Sequence, residues 1–284
     1  MTIAGPAASQ DVLRLQLQAE LYDPLTRRLL CDAGVGPGQR VLDLGTGAGD
    51  VALLAADLVG PTGSVLSVDL NPERVAYARH RCSRAGIAHV RFVEGDLDSL
   101  ELDEAFDAVV SRFVLRDVRD APAVLAAAAR LAPGGVVVAQ EKVLELGVHT
   151  IPAVEVVDRA TGWMAQTRRL VGVDTRTGAR LPAMFQAAGL PAPTLRYEAP
   201  VQATGAEAGA GADYLAETLR GMLGLTVALG IATLEEIGID TLAGRMRGAL
   251  SGVALSGDGA TDDGALLVLP PCVGAWSPLA GQAG

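Results

Sequence analysis

The sequence has few aromatic side chains, few cysteines and fewer basic than acidic residues. Aromatic residues make up only 4% of its 284 positions, so alanine, valine and leucine must fill most of any hydrophobic core. The three cysteines, Cys31, Cys82 and Cys272, are odd in number and widely spaced, which excludes a CxxC pair and a disulfide framework. Such cysteine usage is typical of a protein that works in a reducing, cytoplasmic setting.

Basic residues and long apolar runs are also scarce. Lysine and arginine total 23 against 33 aspartates and glutamates, giving a net charge of −10 and a pI near 4.8. This balance argues against nucleic-acid binding, which depends on cations that neutralise phosphates. No apolar run reaches membrane-spanning length, and Met1–Pro6 lacks the basic and apolar regions of a secretory signal. We therefore expect a soluble, cytoplasmic protein without nucleic-acid or membrane partners.

The most informative stretch is Val41–Asp50. An apolar strand interrupted by one acid is followed by three alternate glycines, Gly45, Gly47 and Gly49, and then by an apolar helix over Ala52–Ala56. Glycine permits a sharp turn and a close approach of a ligand to the backbone, and the next helix points its N–H groups at that ligand. The pattern is typical of a loop that binds a nucleotide-like cofactor, although dinucleotide-binding Rossmann domains share it.

Each of the first three predicted strands carries an acid near its end. Asp43 lies two residues before the first glycine, where its carboxylate could accept from a ligand ammonium group. The strand Val65–Asp69 ends in an acid about twenty residues beyond the glycines, the spacing expected for a contact with ribose hydroxyls. The strand Val90–Asp96 ends in another acid, which could accept from an adenine amino group. Their joint order favours one shared site over three unrelated turn residues.

In this order the motifs resemble those of the class I S-adenosylmethionine-dependent methyltransferases, of the small-molecule type similar to the quinone-biosynthesis methyltransferases. The resemblance is dense over residues 37–142 and includes Phe106–Leu115 and the Pro-Gly-Gly turn within Arg130–Glu141. It implies S-adenosyl-L-methionine as the cofactor. By this resemblance, the cofactor contacts fall on Asp43, Gly45, Thr46, Gly47, Asp69, Leu70, Gly95, Asp96, Leu97, Ser111, Arg112 and Tyr22.

The predicted fold is α/β, with a Rossmann-like, seven-stranded and mostly parallel sheet, an antiparallel last strand and helical cap insertions. The regular alternation of strands and helices from residue 36 to 141 predicts parallel strands whose carboxyl ends share one edge. We predict four regions: an N-terminal helical lid segment over 1–35, a cofactor-binding core over 36–142, a cap insertion over 143–175, and the rest of the core sheet over 176–284 with a helical insertion at about 205–255.

Three local predictions concern the regions that flank the core. Pro24 is expected to break the helical stretch Asp11–Leu30 into two pieces, because proline lacks the N–H that a helix interior needs. The segment Leu144–Leu170 is expected to form inserted helices. Ala265–Leu269 is predicted as the last strand with Val273–Trp276 after it, similar to the antiparallel seventh strand of the family.

Three side chains are candidates for roles at or beyond the cofactor site. Tyr22 could contact the methionine portion of the cofactor or simply pack its helix onto the domain. Arg112 follows the fourth strand and could orient a substrate oxygen or the cofactor carboxylate, or form an ion pair with Asp117 or Glu141. His149 follows the fifth strand and is the first candidate for a general base, the alternative being a loop histidine that faces solvent.

The leading functional hypothesis is in-line methyl transfer to a small, largely apolar metabolite. A hydroxyl oxygen is the expected acceptor, with nitrogen and carbon as alternatives. Alignment of acceptor and methyl group can supply roughly 7–11 kcal/mol, against about 3–5 kcal/mol from a positioned base, so proximity should dominate. Ser111 and Arg112 stand where the similar catechol-type methyltransferases carry a metal-binding acid, so no metal is expected.

Other functions stay open at this point. An enzyme that keeps the same cofactor but catalyses a cyclisation or another rearrangement would carry the same binding motifs. A nicotinamide-dependent oxidoreductase would also use the glycines and Asp69, but it does not explain Asp43 or Gly95 with Asp96. A non-catalytic scaffold would not need the full set of acids. The apolar C-terminal helices are expected to form either a lid or the interface of a homodimer.

Overall fold

The computed structural model describes residues 6–203, 208–251 and 266–280. The strands are β1 (Arg40–Leu44), β2 (Ser64–Asp69), β3 (Val90–Glu94), β4 (Ala108–Arg112), β5 (Val136–Lys142), β6 (His149–Ile151), β7 (Thr194–Glu198), β8 (Val201–Ala203), β9 (Leu266–Val268) and β10 (Cys272–Pro278). The helices are α1 (Pro6–Asp32), α2 (Asp50–Val59), α3 (Pro72–Arg84), α4 (Ala121–Leu131), α5 (Glu155–Leu170), α6 (Thr177–Ala187), α7 (Ala208–Ala228), α8 (Leu234–Ile237) and α9 (Ile239–Ser251).

Seven strands form one sheet in the order β3-β2-β1-β4-β5-β10-β7. All neighbours pair in parallel except β10, which runs antiparallel to both β5 and β7. The strand order reverses between β1 and β4, which is the switch point where open α/β sheets bind ligands. The predicted Rossmann-like α/β fold with one antiparallel strand is therefore confirmed.

The central strands are continuous apolar runs because helices cover both of their faces. Successive residues of a strand point to opposite faces, so Val41 and Leu42 enter different cores. On the side of Val41, buried residues of α2 and α3 such as Leu54 complete one core. On the side of Leu42, α4 and α6 supply Leu125 and Phe185 to the other. This double cover buries most of β1 and all of β4, and the parallel pairing of the two strands places their carboxyl ends side by side.

The chain divides into two compact units. One contains the seven-stranded sheet and comprises the described residues of 22–142, 176–198 and 272–284. The other comprises the described residues of 1–21, 143–175 and 199–271. Its three-stranded antiparallel sheet has the order β6-β9-β8, and a hydrogen bond of 2.9 Å between the buried Thr167 and Thr226 hydroxyls joins α5 to α7. Within the described part of the chain, no helix combines the length and apolar character needed to cross a bilayer.

The predicted break at Pro24 is wrong, because α1 continues from Pro6 to Asp32 with the proline inside it. Proline removes one backbone donor from a helix interior. The residues around it, Tyr22, Leu25 and Leu29, are buried, and their packing outweighs the local cost. The packing of these neighbours in the folded protein therefore outweighs the tendency of Pro24 to end the helix.

Two further predictions need correction. The segment Leu144–Leu170 contains a single helix, α5, preceded by a short 3₁₀ turn and β6, instead of several helices. Residues 266–268 within Ala265–Leu269 form β9 of the small sheet, so this stretch is not the last strand of the large one. That role belongs to β10, which begins after Pro270-Pro271. Two prolines cannot donate to a ladder of hydrogen bonds, so they separate the two strands.

Candidate functional site

The glycine loop between β1 and α2 takes backbone conformations that disfavour side chains. Gly45, Gly47 and Gly49 have φ values of 88°, 52° and 87°, all in the left-handed region. A Cβ added at Gly45 would lie 2.9 Å from Val114 Cγ2, and one added at Gly49 would lie 2.9 Å from Ala78 Cβ. Both separations are too short for real contacts. Only glycine lets the loop sit this close to its neighbours.

Hydrogen bonds fasten this loop to the end of β2. The N–H of Gly45 donates to the carbonyl of Val68 at 2.8 Å, and the N–H of Gly47 donates to Asp69 Oδ2 at 2.9 Å. The other carboxylate oxygen of Asp69 accepts from the N–H of Asn71 at 2.9 Å. Each oxygen of a carboxylate has two acceptor positions, so Asp69 can still accept from ribose hydroxyls. The acid thus shapes the loop and keeps acceptor positions that a ligand could use.

Asp43 is fully buried at the end of β1. Its Oδ2 accepts from the Ser67 hydroxyl at 2.6 Å, and that hydroxyl lies 2.6 Å from the hydroxyl of Thr46. Its Oδ1 has no hydrogen-bond partner among the residues that the structure describes. Burial raises the pKa of Asp43 to about 7, while the Ser67 hydrogen bond and the positive charge of Arg112 act in the opposite direction. A ligand ammonium group would satisfy this unpaired oxygen.

A pocket of about 550 Å³ opens at the carboxyl ends of β1, β2 and β3. It is large enough for a nucleoside-sized ligand. Asp96 Oδ1 accepts from the N–H of Asp98 at 3.0 Å, and the Gly95 N–H donates to the Asp69 carbonyl at 3.1 Å. The predicted residues Gly45, Asp69, Leu70, Asp96 and Leu97 line this pocket together with Arg74, Asp98, Val114, Asp117, Val118 and Arg119.

Arg112 forms an ion pair, although not with the predicted partners. Its Nη1 lies 2.5 Å from Asp23 Oδ1 and 3.1 Å from the Thr26 hydroxyl, so the prediction of Asp117 or Glu141 is wrong. Strand register explains the difference. Arg112 is paired with Gln140 across β4 and β5, so the next residue, Glu141, points to the opposite face of the sheet.

The side chains next to Arg112 are closely packed. Tyr22 is fully buried, and its ring meets that of Phe113 edge to face with centroids 5.2 Å apart. The Lys142 ammonium lies 4.4 Å from the centroids of both rings. The hydroxyl of Ser111 is buried and has no partner within the described ranges. This oxygen could therefore accept or donate to a ligand at the end of β4.

His149 lies in the other unit. It begins β6, its side chain is exposed, and its Nε2 is 2.5 Å from the carbonyl oxygen of Leu146. The general-base role of His149 stays a prediction.

Sequence analysis missed several residues of the site. Ser67 lies opposite Asp43 in the register of β1 and β2, so aligning the two predicted strands would have revealed it. Val114, Asp98 and Arg119 line the pocket from loops and carry no recognisable motif. Loop residues of this kind become visible only when the strands that support them are placed side by side.

Comparison with known sequences identifies the family of this site. A family model described as a methyltransferase domain matches residues 36–189. The ubiquinone/menaquinone biosynthesis C-methyltransferase UbiE of Ectopseudomonas mendocina is 37% identical over 132 residues, which cover 45% of this chain and 52% of the relative. UbiE of Pseudomonas putida is 36% identical over the same shares. The chain thus matches about half of the length of these curated relatives.

Comparison with solved structures shows the same fold. The YcgJ protein of Bacillus subtilis has a TM-score of 0.54 at 20% identity, covering 89% of this chain and 98% of its own. The cyclase SpnF has a TM-score of 0.51 at 21% identity, covering 91% of this chain and 81% of its own. At such identities the likeness concerns the fold alone.

Proposed function

Because the chain belongs to the class I S-adenosylmethionine-dependent methyltransferases, we propose that this enzyme methylates a small, largely apolar metabolite. A hydroxyl oxygen is the first acceptor atom to test. The name C-methyltransferase that the curated relatives carry makes carbon the second, and nitrogen is the third. In every case S-adenosyl-L-methionine supplies, when bound, a methyl group on a cationic sulfur.

The unpaired Oδ1 of Asp43 is the observation that supports this proposal most strongly. A fully buried carboxylate oxygen without a donor is costly, and the ammonium group of the cofactor's methionine portion would provide one. Asp69 would then bind the ribose hydroxyls, and Asp96 with Leu97 would bind the adenine. All of these residues lie at the carboxyl edge of β1, β2 and β3. These residues thus match the three parts of one ligand: the ammonium group, the ribose and the adenine.

The protein's own contribution to the reaction is mainly alignment. Loop residues held by Asp69 and Val68 fix the cofactor, and the closed packing around Tyr22 excludes water from the end of β4. A rigid binding site that excludes water in this way favours in-line transfer without a strong base. Tyr22, Ser111 and Arg112 are proposed to lie on the side of the cofactor's methionine portion, where Asp23 and Thr26 bind the Arg112 guanidinium and give it a mainly structural role.

Calorimetry with S-adenosylhomocysteine tests the proposed cofactor. We expect the purified protein to bind this product and to release no heat with NAD. The variant Asp69→Ala should weaken S-adenosylhomocysteine binding by roughly tenfold or more, because it removes the acceptor of the Gly47 N–H as well as the ribose contact. Binding of NAD together with no binding of S-adenosylhomocysteine would falsify the proposal.

Product analysis tests the reaction itself. The enzyme is incubated with S-adenosylmethionine and a panel of phenols, quinols and amines, and the products are analysed by mass spectrometry. A gain of one methyl group, matched by an equal amount of S-adenosylhomocysteine, supports methyl transfer, and NMR of the isolated product identifies the acceptor atom. A rearranged product of unchanged mass, formed without S-adenosylhomocysteine, supports the cyclisation alternative.

A further inference from the structure

The segment that follows β4, residues 113–120, forms one wall of the pocket and is called here the β4–α4 segment. It contributes Val114, Asp117, Val118 and Arg119 to the lining. Its far end is held by Asp98, whose carboxylate accepts from the N–H of Arg119 at 3.0 and 3.1 Å. Asp98 thereby connects this wall of the pocket to the loop that carries Asp96, the acid proposed to bind the adenine.

The near end of the same segment has an unusual backbone conformation. Phe113 has a φ of 58°, and within the described ranges it is the only residue other than glycine with a positive φ. This conformation costs about 1–2 kcal/mol for a residue with a side chain, so surrounding contacts must stabilise it. One such contact is the hydrogen bond of 2.8 Å from the Phe113 N–H to the carbonyl of Gln140.

A second contact comes from the next residue of β5. Glu141 is 1% exposed, and its Oε1 accepts from the N–H of Leu115 at 2.7 Å. Burial raises the pKa of Glu141 to about 7, although backbone N–H donors from Leu115 and Val114 act in the opposite direction. A carboxyl group can accept a hydrogen bond in both its charged and its neutral form, so the bond from the Leu115 N–H forms below as well as above neutral pH.

The residue between these two contacts meets the glycine loop. Val114 lies between Phe113 and Leu115, and its γ-carbons occupy the space that a Cβ at Gly45 would need. Val114 and Gly45 also line the pocket together. A shift of the β4–α4 segment would therefore change the width of the pocket at the glycine loop.

We propose that Glu141 is a positioning residue for the adenosyl ligand: its carboxylate fixes Leu115 and thereby holds Val114 against the glycine loop. Glu141 is not among the described residues that line the pocket. Its influence on ligand affinity is therefore exerted through the backbone. This inference rests on the proposed function, because the ligand in question is S-adenosylmethionine or its demethylated product.

The variants Glu141→Gln and Glu141→Leu test the role of the accepting oxygen. Gln keeps an acceptor for the Leu115 N–H, so its affinity for S-adenosylhomocysteine should stay within roughly threefold of wild type. Leu has a similar size without an acceptor, and its affinity should fall by roughly tenfold. Amide hydrogen exchange at Leu115 should accelerate in Glu141→Leu and stay protected in Glu141→Gln. The core variant Phe185→Leu serves as a stability control and should bind as tightly as wild type.

A double-mutant cycle with Val114→Ala separates positioning from general destabilisation. If Glu141 acts through Val114, the two substitutions should not be additive, and Glu141→Leu should weaken binding less in the Val114→Ala background. Val114→Ala is tolerated by the fold because the side chain is only partly buried, so it keeps the test available if Glu141→Leu does not fold. Full affinity of Val114→Ala then overturns the inference.

The outcomes distinguish this inference from the proposed function. Wild-type protein that binds no S-adenosylhomocysteine contradicts the proposed function. Wild-type protein that binds this ligand, together with a Glu141→Leu variant that binds within roughly threefold of it, overturns only the role of Glu141. An equal tenfold loss in Glu141→Gln also overturns it, because the amide oxygen keeps the acceptor.

Discussion

The two halves of the sheet's carboxyl edge differ in how their charged residues are held. At the ends of β1, β2 and β3 lie Asp43, Asp69 and Asp96, which face the pocket or keep free acceptor positions. At the ends of β4 and β5, Arg112 and Glu141 are buried and bonded to protein groups. We therefore call the first the ligand-facing half, as its proposed role requires, and the second the protein-holding half.

Asp69 and Arg112 differ in how far along the chain their partners lie. Asp69 bonds to the N–H groups of Asn71 and Gly47, 2 and 22 positions away, whereas Arg112 pairs with Asp23 from α1, 89 positions away. Acids that act through local turns follow motif spacing. The partners of charged residues that bond to distant elements depend on how the strands and helices pack together, which no single motif specifies. Substitutions in the first half should thus change ligand affinity directly. Those in the second half should change stability, and they should change ligand affinity only through the backbone, as proposed for Glu141.

The largest expected effect comes from Asp43→Asn, which tests the ligand-facing half. The substitution removes the charge that would pair with the cofactor ammonium, and loss of a buried charge partner should weaken S-adenosylhomocysteine binding by roughly 100-fold. Calorimetry measures this, with Asp57→Asn on the exposed side of α2 as the control that keeps wild-type affinity. A near-wild-type affinity of Asp43→Asn would remove the contrast between the halves.

A smaller effect is expected from Arg112→Met, which tests the protein-holding half. The substitution breaks the bonds to Asp23 and Thr26 and should lower the free energy of unfolding by about 2 kcal/mol, measured by urea denaturation. Arg27→Met, which breaks an exposed ion pair with Asp57, should cost about 0.5 kcal/mol or less. If Arg112→Met instead keeps full stability and loses as much ligand affinity as Asp43→Asn, Arg112 belongs to the ligand-facing half.

The third expected effect is a gradual pH dependence of stability that Asp43 produces without ligand. Folding raises the pKa of Asp43 from its ordinary value of 3.8 to about 7, so the folded protein holds a proton that the unfolded chain has released. The resulting stabilisation is complete below the unfolded pKa and is lost as pH rises through the folded pKa, at up to about 1.4 kcal/mol per pH unit.

The measurement compares wild type with Asp43→Asn by urea denaturation between about pH 5 and about pH 8. The stability of wild type relative to the variant should decline over this interval. If the free energies of unfolding of the two proteins change with pH in parallel, Asp43 has the same pKa in the folded protein as in the unfolded chain. That result would also remove one reason to assign this carboxylate to a ligand cation.

Much of the edge of the sheet that lines the pocket was predictable because its residues follow chain order. The glycine loop, Asp69 and Asp96 with Leu97 come directly after strands whose apolar patterns are clear, and the structure lines one pocket with them. Ser67 was missed because the register of the first two predicted strands was not worked out, and Val114 was missed because the sequence does not specify the neighbour of its loop.

The sequence by itself determined the α/β alternation, the methyltransferase family and the order of the acids along the chain. Periodic burial and backbone turns are local properties, so they can be inferred from neighbouring residues. The tertiary structure alone decided that α1 continues through Pro24, that β10 and not Ala265–Leu269 completes the large sheet, and that Arg112 pairs with Asp23. Each of these outcomes depends on contacts between residues far apart in the chain, and their burial energy outweighs the local preference.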